Sequence, residues 1–170
     1  ERISEGDEMK ALVTGSTGFI GGRLVESLTA RGDEVFCFIR PQSDTIRISG
    51  RNVVLRPGRY EDEESLRRWV EGMDVVFHVG AVISAPDWET YERANVKAVI
   101  RLLEACADAC PNLKKFVFVS SISAAGPARD KRPLTESDPC FPVSLYGKSK
   151  LLAEQAAARV AGRAQVGVGG

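Results

Sequence analysis

Tyr146 and Lys150 stand four residues apart in the run Tyr146-Gly147-Lys148-Ser149-Lys150. On a helix that spacing puts a phenol and an ammonium on one face, where the positive charge favours phenolate and draws the tyrosine pKa toward working pH. A tyrosine so tuned can give a proton to, or take one from, a hydroxyl or carbonyl oxygen. Upstream, Phe118-Val119-Ser120-Ser121-Ile122-Ser123 ends an apolar run in hydroxyls. A serine at such a strand end can hold the oxygen whose proton the tyrosine handles. Ser121 is the first candidate, with Ser123 in reserve, and Ser120 beside them is a cofactor-binding candidate. Each feature taken alone also reads as ordinary: a surface pair on a helix, a satisfied hydroxyl in a loop.

A second constellation lies near the start of the chain. Thr14-Gly15-Ser16-Thr17-Gly18-Phe19-Ile20-Gly21 sets three glycines at intervals of three between a short apolar run and an amphipathic one. A strand, a bare turn and a helix start form the arrangement that binds a dinucleotide pyrophosphate. Gly15 allows the tight turn, Gly18 lets the backbone approach the phosphates, and Gly21 lets the helix lie close to the strand. Ser16, Thr17, Phe19 and Ile20 complete the loop as cofactor-binding candidates. Where an acidic residue ordinarily holds the adenosine ribose stands Arg40, nineteen residues after Gly21. A guanidinium there can grip a 2′-phosphate bidentately, so NADP is favoured, with NAD as the alternative. An arginine merely facing solvent at a strand end is the plainer reading.

These residues need elements to position them, and the pattern supplies such elements. Apolar runs of strand length alternate with longer segments of helical period, the mark of consecutive βαβ units and a parallel sheet. Strands are expected near Lys10 to Thr14, Glu34 to Ile39, Asn52 to Leu55, Asp74 to His78 and Lys115 to Ser120. Helical stripes run through Ile20, Leu24, Val25 and Leu28, through Leu66, Trp69 and Val70, and through Val96, Val99, Ile100, Leu103 and Cys106. Gly32 suits a helix C-cap, and a last helix from about Val143 to Val160 starts well after Pro142. The segments from Pro41 to Gly50 and from Ala124 to Pro142 read as polar loops, the second long enough to lie near a site. The expected organisation is therefore a disordered or tag-like stretch over residues 1–8, one domain over 9–161, and an irregular glycine-rich tail over 162–170.

Lys and Arg total 23 and Asp and Glu total 23, a balance that favours a small-molecule ligand over nucleic acid or an anionic membrane. Four cysteines without CxxC spacing and a single histidine point away from structural zinc and toward reduced thiols. No apolar run approaches the roughly 20 residues that span a bilayer. A soluble, cytoplasmic protein is expected, with the long fourth helix around Leu102 and Leu103 a candidate homodimer face.

The glycine run, His78-Val79-Gly80-Ala81 after the fourth strand, Ala94-Asn95-Val96, Phe116-Val117-Phe118-Val119-Ser120-Ser121 and Tyr146-Gly147-Lys148-Ser149-Lys150, in that order, resemble the extended short-chain dehydrogenase/reductase family. That family includes nucleotide-sugar epimerases, dehydratases and dihydroflavonol-reductase-like enzymes. The likeness covers about Met9 to Gln155. It implies a doubly wound, three-layer α/β Rossmann fold with NAD(P) across the strand tips. It also implies Tyr146 as catalytic acid/base, Lys150 holding the nicotinamide ribose and lowering the tyrosine pKa, and Ser121 as the active-site hydroxyl. Gly80 and Ala81 leave the backbone free to approach the cofactor, and Asn95 matches an asparagine near the catalytic groups. The chain departs from the family at Gly58-Arg59, where Gly-Asp is common, so adenine contact passes to Asp62 or to backbone. Ala124-Ala125-Gly126, in place of a tyrosine-bearing motif, tilts the likeness toward the reductases. The C-terminal substrate lobe of extended members is not recognisable after Gln155. The expected activity is hydride transfer at a hydroxyl-bearing or carbonyl carbon, as an oxidoreductase or epimerase/dehydratase acting on a small-molecule substrate. The alternative is a non-catalytic dinucleotide-binding module or an inactive truncated fragment.

Overall fold

Alternating strands and helices wind into one parallel sheet in a computed structural model that describes residues 8–128, 132–164 and 168–169. Among these residues the strands are β1 (Lys10–Thr14), β2 (Glu34–Ile39), β3 (Val53–Pro57), β4 (Val75–His78), β5 (Lys115–Phe118) and β6 (Val168–Gly169), in the order β3-β2-β1-β4-β5-β6. Every pairing is parallel, with Thr14 in register with both Phe38 and His78. The winding reverses between β1 and β4, the switch point at which open α/β sheets place a ligand.

Alternation along the strands sends side chains into two cores. On one face Leu12, Phe36, Phe38, Val76, Phe116 and Phe118 pack under α2 (Glu63–Val70), α4 (Ala98–Ala109) and α6 (Leu145–Ala164). On the other, Ala11, Val13, Val35 and Cys37 meet Val25 and Leu28 of α1 (Phe19–Arg31). This is a doubly wound, three-layer α/β fold. Two short helices, α3 (Trp88–Tyr91) and α5 (Ile122–Ala125), sit at the carboxyl ends of β4 and β5.

Several expectations shift once tertiary partners are present. The segment from Pro41 to Gly50 is not a plain loop, because Ile48 is buried beside α1 and draws Ile46–Ile48 into a single 3₁₀ turn. The long helical stripe starts at Val96 inside a π-helical turn over Glu92–Lys97 and continues as α4, with α3 preceding the turn. Leu102 and Leu103 are fully buried in the core, so they form no dimer face. The tail is not wholly irregular: α6 continues to Ala164, and Val168 and Gly169 pair with Phe116 and Val117. Ala and Arg favour helix over 161–164, and the open edge of β5 offers a ladder to the next extended backbone. The remaining tail residues, 165–167 and 170, and residues 1–7 of the tag-like stretch lie outside the described residues. Among the described residues no helix is long and apolar enough to cross a membrane.

Candidate active site

The turn after β1 is built around close backbone approach. Gly15 has φ +66°, and a Cβ there would stand 2.6 Å from both Cα and N of Gly80, which follows β4. At Gly21 a Cβ would strike the Gly15 carbonyl oxygen at 2.1 Å, so any side chain would push α1 off the strand end. Ser16 is buried against the Cys37 thiol, which burial pushes up to about 11. Gly18, Phe19 and Ile20 lie exposed on the rim, and Thr17 is half-buried. The first turn of α1 carries no acidic residue and no side-chain cap. Its free N–H groups and dipole leave uncompensated positive potential at the mouth of the turn, where an anion is stabilised.

Lys150 reaches from α6 to the end of β5. Only 2 % exposed, its Nζ donates to the Val119 carbonyl at 2.8 Å and lies 4.1 Å from the Phe118 ring centroid. Burial pushes the ammonium down to about 8. A buried ammonium has three donors, and the fold places one of them, so oxygens brought by a ligand would complete the set. Nearby, Ser120 Oγ is buried without a hydrogen-bond partner among the described residues. His78 also packs here, its Nδ1 2.8 Å from Thr14 Oγ1, which in turn accepts from the Gly80 N–H at 3.3 Å. Burial first, and then the Lys150 charge, push His78 down to about 3, so it stays neutral. His78 thus braces the β1 and β4 ends.

Ser121 caps α5 by accepting from the Ser123 N–H at 3.2 Å. Helix α6 then lies hard against α5: a Cβ on Gly147 would come 2.2 Å from the Ser123 carbonyl oxygen. That contact sets the start of α6, which carries Tyr146, against the short helix that Ser121 caps. The half-buried Tyr146 ring stands 6.5 Å from the ring of Tyr91, whose hydroxyl donates to the Ile83 carbonyl and accepts from the Ala85 N–H. The Lys150 ammonium, from one turn further along α6 than Tyr146, rests on the Val119 carbonyl just past β5.

Asn95 is 1 % exposed, and its amide is fully engaged. It accepts from Val82 N–H at 2.8 Å and donates to Val82 carbonyl and Ser149 Oγ, each at 2.9 Å; Ser149 Oγ donates to the Tyr146 carbonyl at 2.7 Å. It thus pins the segment after Ala81 to the helix that bears Tyr146, and it acts on the site by position. Arg40, exposed at the end of β2, starts a turn closed by Ser43. Asp62 serves as the N-cap of α2, its two carboxylate oxygens accepting from the N–H and the hydroxyl of Ser65.

A parallel sheet whose switch point carries this bare glycine turn defines a Rossmann-type fold. The chain belongs to the NAD dependent epimerase/dehydratase family, whose sequence profile matches residues 11–168. It is 34 % identical over 149 residues to sterol demethylase protein B of Methylococcus capsulatus, covering 86 % of this chain and 45 % of that one. Against UDP-glucose 4-epimerase of Lactobacillus helveticus the identity is 31 %, covering 86 % and 46 %. A short-chain dehydrogenase/reductase superfamily protein from Agrobacterium tumefaciens, solved with bound NAD, superimposes with a TM-score of 0.78 at 33 % identity over 94 % of this chain and 47 % of that one. The chain therefore spans about half the length of the relatives that it matches.

Proposed function

We propose that the chain is the cofactor-binding and proton-transfer half of an NADP-preferring oxidoreductase acting on a secondary alcohol or ketone, in a reducing cytoplasmic setting. The observation that supports this reading is the buried Lys150 ammonium held on the Val119 carbonyl at 2.8 Å, just before Ser120 and Ser121 in the chain, by the helix that also carries Tyr146. The dinucleotide would lie across Gly15 to Gly21 and the Gly80–Ala81 backbone, with Lys150 donors on the ribose hydroxyls and Ser120 and Asn95 bordering the nicotinamide end. When bound it supplies hydride transfer to or from the substrate carbon. Tyr146 Oη gives its proton to the carbonyl oxygen, or takes one from the hydroxyl, while Ser121 Oγ holds that oxygen in line. The Lys150 charge favours the phenolate that remains after proton donation.

An apolar substrate body is supported by the rim around Tyr146. Ile83 is 72 % exposed, Ile122 82 % and Val143 81 %; Ile122 adjoins Ser121, and the Ile83 carbonyl is held by the Tyr91 hydroxyl. Aliphatic groups left in water at a ligand mouth suit a ketone with a hydrocarbon body better than a sugar nucleotide. A second reading, a dinucleotide-binding module without turnover, rests on the glycine turn and the uncapped start of α1 alone. The test is a titration with NADP⁺ and NAD⁺, followed by NADPH-dependent reduction of a panel of apolar ketones by wild type and Tyr146→Phe. The enzyme reading expects a fall of at least about 100-fold in kcat with cofactor affinity kept, the usual size of a general acid/base effect. Equal rates would overturn the role of Tyr146, and saturable binding without turnover would select the module.

A further inference from the structure

Between β4 and α3 the chain has no regular structure over residues 79–85, yet it borders the apolar mouth at Ile83. Among the described residues, Val82, Ile83 and Ala85 make no hydrogen bond to another backbone group. Two side chains from the helical stretch that follows hold them instead. The Tyr91 hydroxyl donates to the Ile83 carbonyl at 3.0 Å and accepts from the Ala85 N–H at 3.2 Å. The Asn95 amide takes both backbone groups of Val82. A hydroxyl can donate and accept at once, which is what closing this segment requires of position 91.

The same two side chains also meet α6, the helix that carries Tyr146. Tyr91 is only 7 % exposed, and its ring lies 6.5 Å from the Tyr146 ring. Asn95 donates to Ser149 Oγ at 2.9 Å. One turn before Tyr91, the Trp88 ring lies under the Lys148 ammonium of α6, 4.7 Å away. The stretch from α3 through the π-helical turn is therefore a bracket between the mouth segment and the helix of the phenol. Ile83 is 72 % exposed, so little packing fixes it. Its place is set through its backbone, and that backbone is tied to Tyr91.

We propose that Tyr91 is a positioning residue for the substrate: its hydroxyl holds Ile83 to Ala85 as one wall of the mouth, and its ring sets that wall against Tyr146. The inference rests on the oxidoreductase reading above and adds to it the part that aligns an apolar substrate with the proton donor. The Tyr91 hydroxyl bonds to neither the glycine turn nor Gly80, so dinucleotide binding does not depend on it. An unheld wall costs binding of the hydrocarbon body more than it costs proton transfer, and this sets the expected kinetic signature.

The experiment compares wild type, Tyr91→Phe, Ile83→Ser and the double variant. Tyr91→Phe keeps the ring beside Tyr146 and deletes only the hydroxyl, whereas Ile83→Ser changes an exposed side chain and spares the fold. By NMR, exchange of the Ala85 amide in Tyr91→Phe should be at least about tenfold faster while the β4 amides keep their rates. In NADPH-dependent reduction of the apolar ketone panel, KM should rise at least about fivefold in either single variant, with kcat and NADP⁺ affinity within about twofold of wild type. The double variant should rise little further, because both changes act on one wall. Unchanged Ala85 exchange, or faster exchange with KM unmoved, would overturn the role of Tyr91. So would KM effects that multiply in the double variant, or a parallel loss of melting temperature, kcat and cofactor affinity, the mark of a merely structural residue. Any of these results with an active wild type sinks this inference alone, whereas a wild type that reduces no ketone sinks it together with the oxidoreductase reading.

Discussion

At the scale of single residues, the site is held at a cost to stability. Lys150 is a buried base pushed from its ordinary 10.5 to about 8, and burial is the chief cause. A folded pKa below the unfolded one means that the charged form is penalised in the fold, so the penalty is full below pH 8 and fades as pH rises to 10.5. Lys150→Met should therefore stabilise the ligand-free chain at pH 7 by about 1–2 kcal/mol, after allowing for the unpaired Val119 carbonyl, and the gain should shrink toward alkaline pH. The same variant should lose cofactor affinity and turnover, a trade of stability against function. Paired melting curves at pH 7 and pH 10 check this, and a less stable variant at pH 7 would contradict it. Tyr146, Lys150 and the glycines were legible in the sequence because their chemistry depends on spacing within one element. The 3₁₀ turn at Ile46–Ile48 was not, because nothing local announces that Ile48 will be buried beside α1. The part played by Asn95 was hidden for the same reason: its partners Val82 and Ser149 come from two other stretches of chain.

At the scale of elements, the placing of Tyr146 depends on how closely α6 approaches α5. Gly147 sits where any Cβ would meet the Ser123 carbonyl oxygen at 2.2 Å and the Pro142 side chain at 3.1 Å. Gly147→Ala must therefore lift the start of α6 away from the Ser121 end of β5. An overpacking cost of about 1–3 kcal/mol is expected, together with a loss of kcat that exceeds any loss of dinucleotide affinity. An unchanged melting temperature and rate would mean that the helix has slack at this point. Strand positions were readable because strands buried on both faces appear as continuous apolar runs. Their ends were not: β3 extends to Pro57, and β5 stops at Phe118, short of the serines that the apolar run suggested. Tertiary contact also decided the break of the long helical stripe at Glu92–Lys97, where the extra residue of a π-helical turn lets Asn95 face inward. The apolar period at Leu102 and Leu103 was correctly helical, but a period alone does not tell a core face from a dimer face.

At the scale of the whole molecule, His78, Lys150, Tyr60 and the thiols of Cys37, Cys106 and Cys110 are all pushed toward their neutral forms by desolvation, and this shapes stability against pH. His78 falls from 6.5 to about 3. Below pH 6.5 the unfolded chain binds a proton that the folded chain refuses, so stability falls as pH drops from 6.5 toward 3. The slope approaches about 1.4 kcal/mol per pH unit for this one group. Carboxylates such as Asp74, held low by the Lys10 N–H and Lys114, add to the loss only near and below their ordinary 3.8. On the alkaline side Lys150 makes stability rise from pH 8, but the buried thiols oppose it from pH 9. Cys37 is raised from 9.0 to about 11, and Cys106 and Cys110 are also raised by burial, so above pH 9 the unfolded thiols ionise while the folded ones do not. Tyr60, raised from 10.0 to about 12, joins them. The predicted curve climbs between pH 4 and 6.5, peaks near pH 8 to 9 and declines above. Calorimetric melting from pH 4 to 10 under reducing conditions tests its shape. His78→Asn isolates the acid limb, because asparagine can still meet Thr14 Oγ1 but carries no titrating proton. Whatever its absolute stability, the variant should show a flatter limb between pH 4.5 and 6.5 than wild type. Parallel limbs would assign the acid loss to groups other than His78, and with it would go the view that this histidine is locked neutral between the ends of β1 and β4.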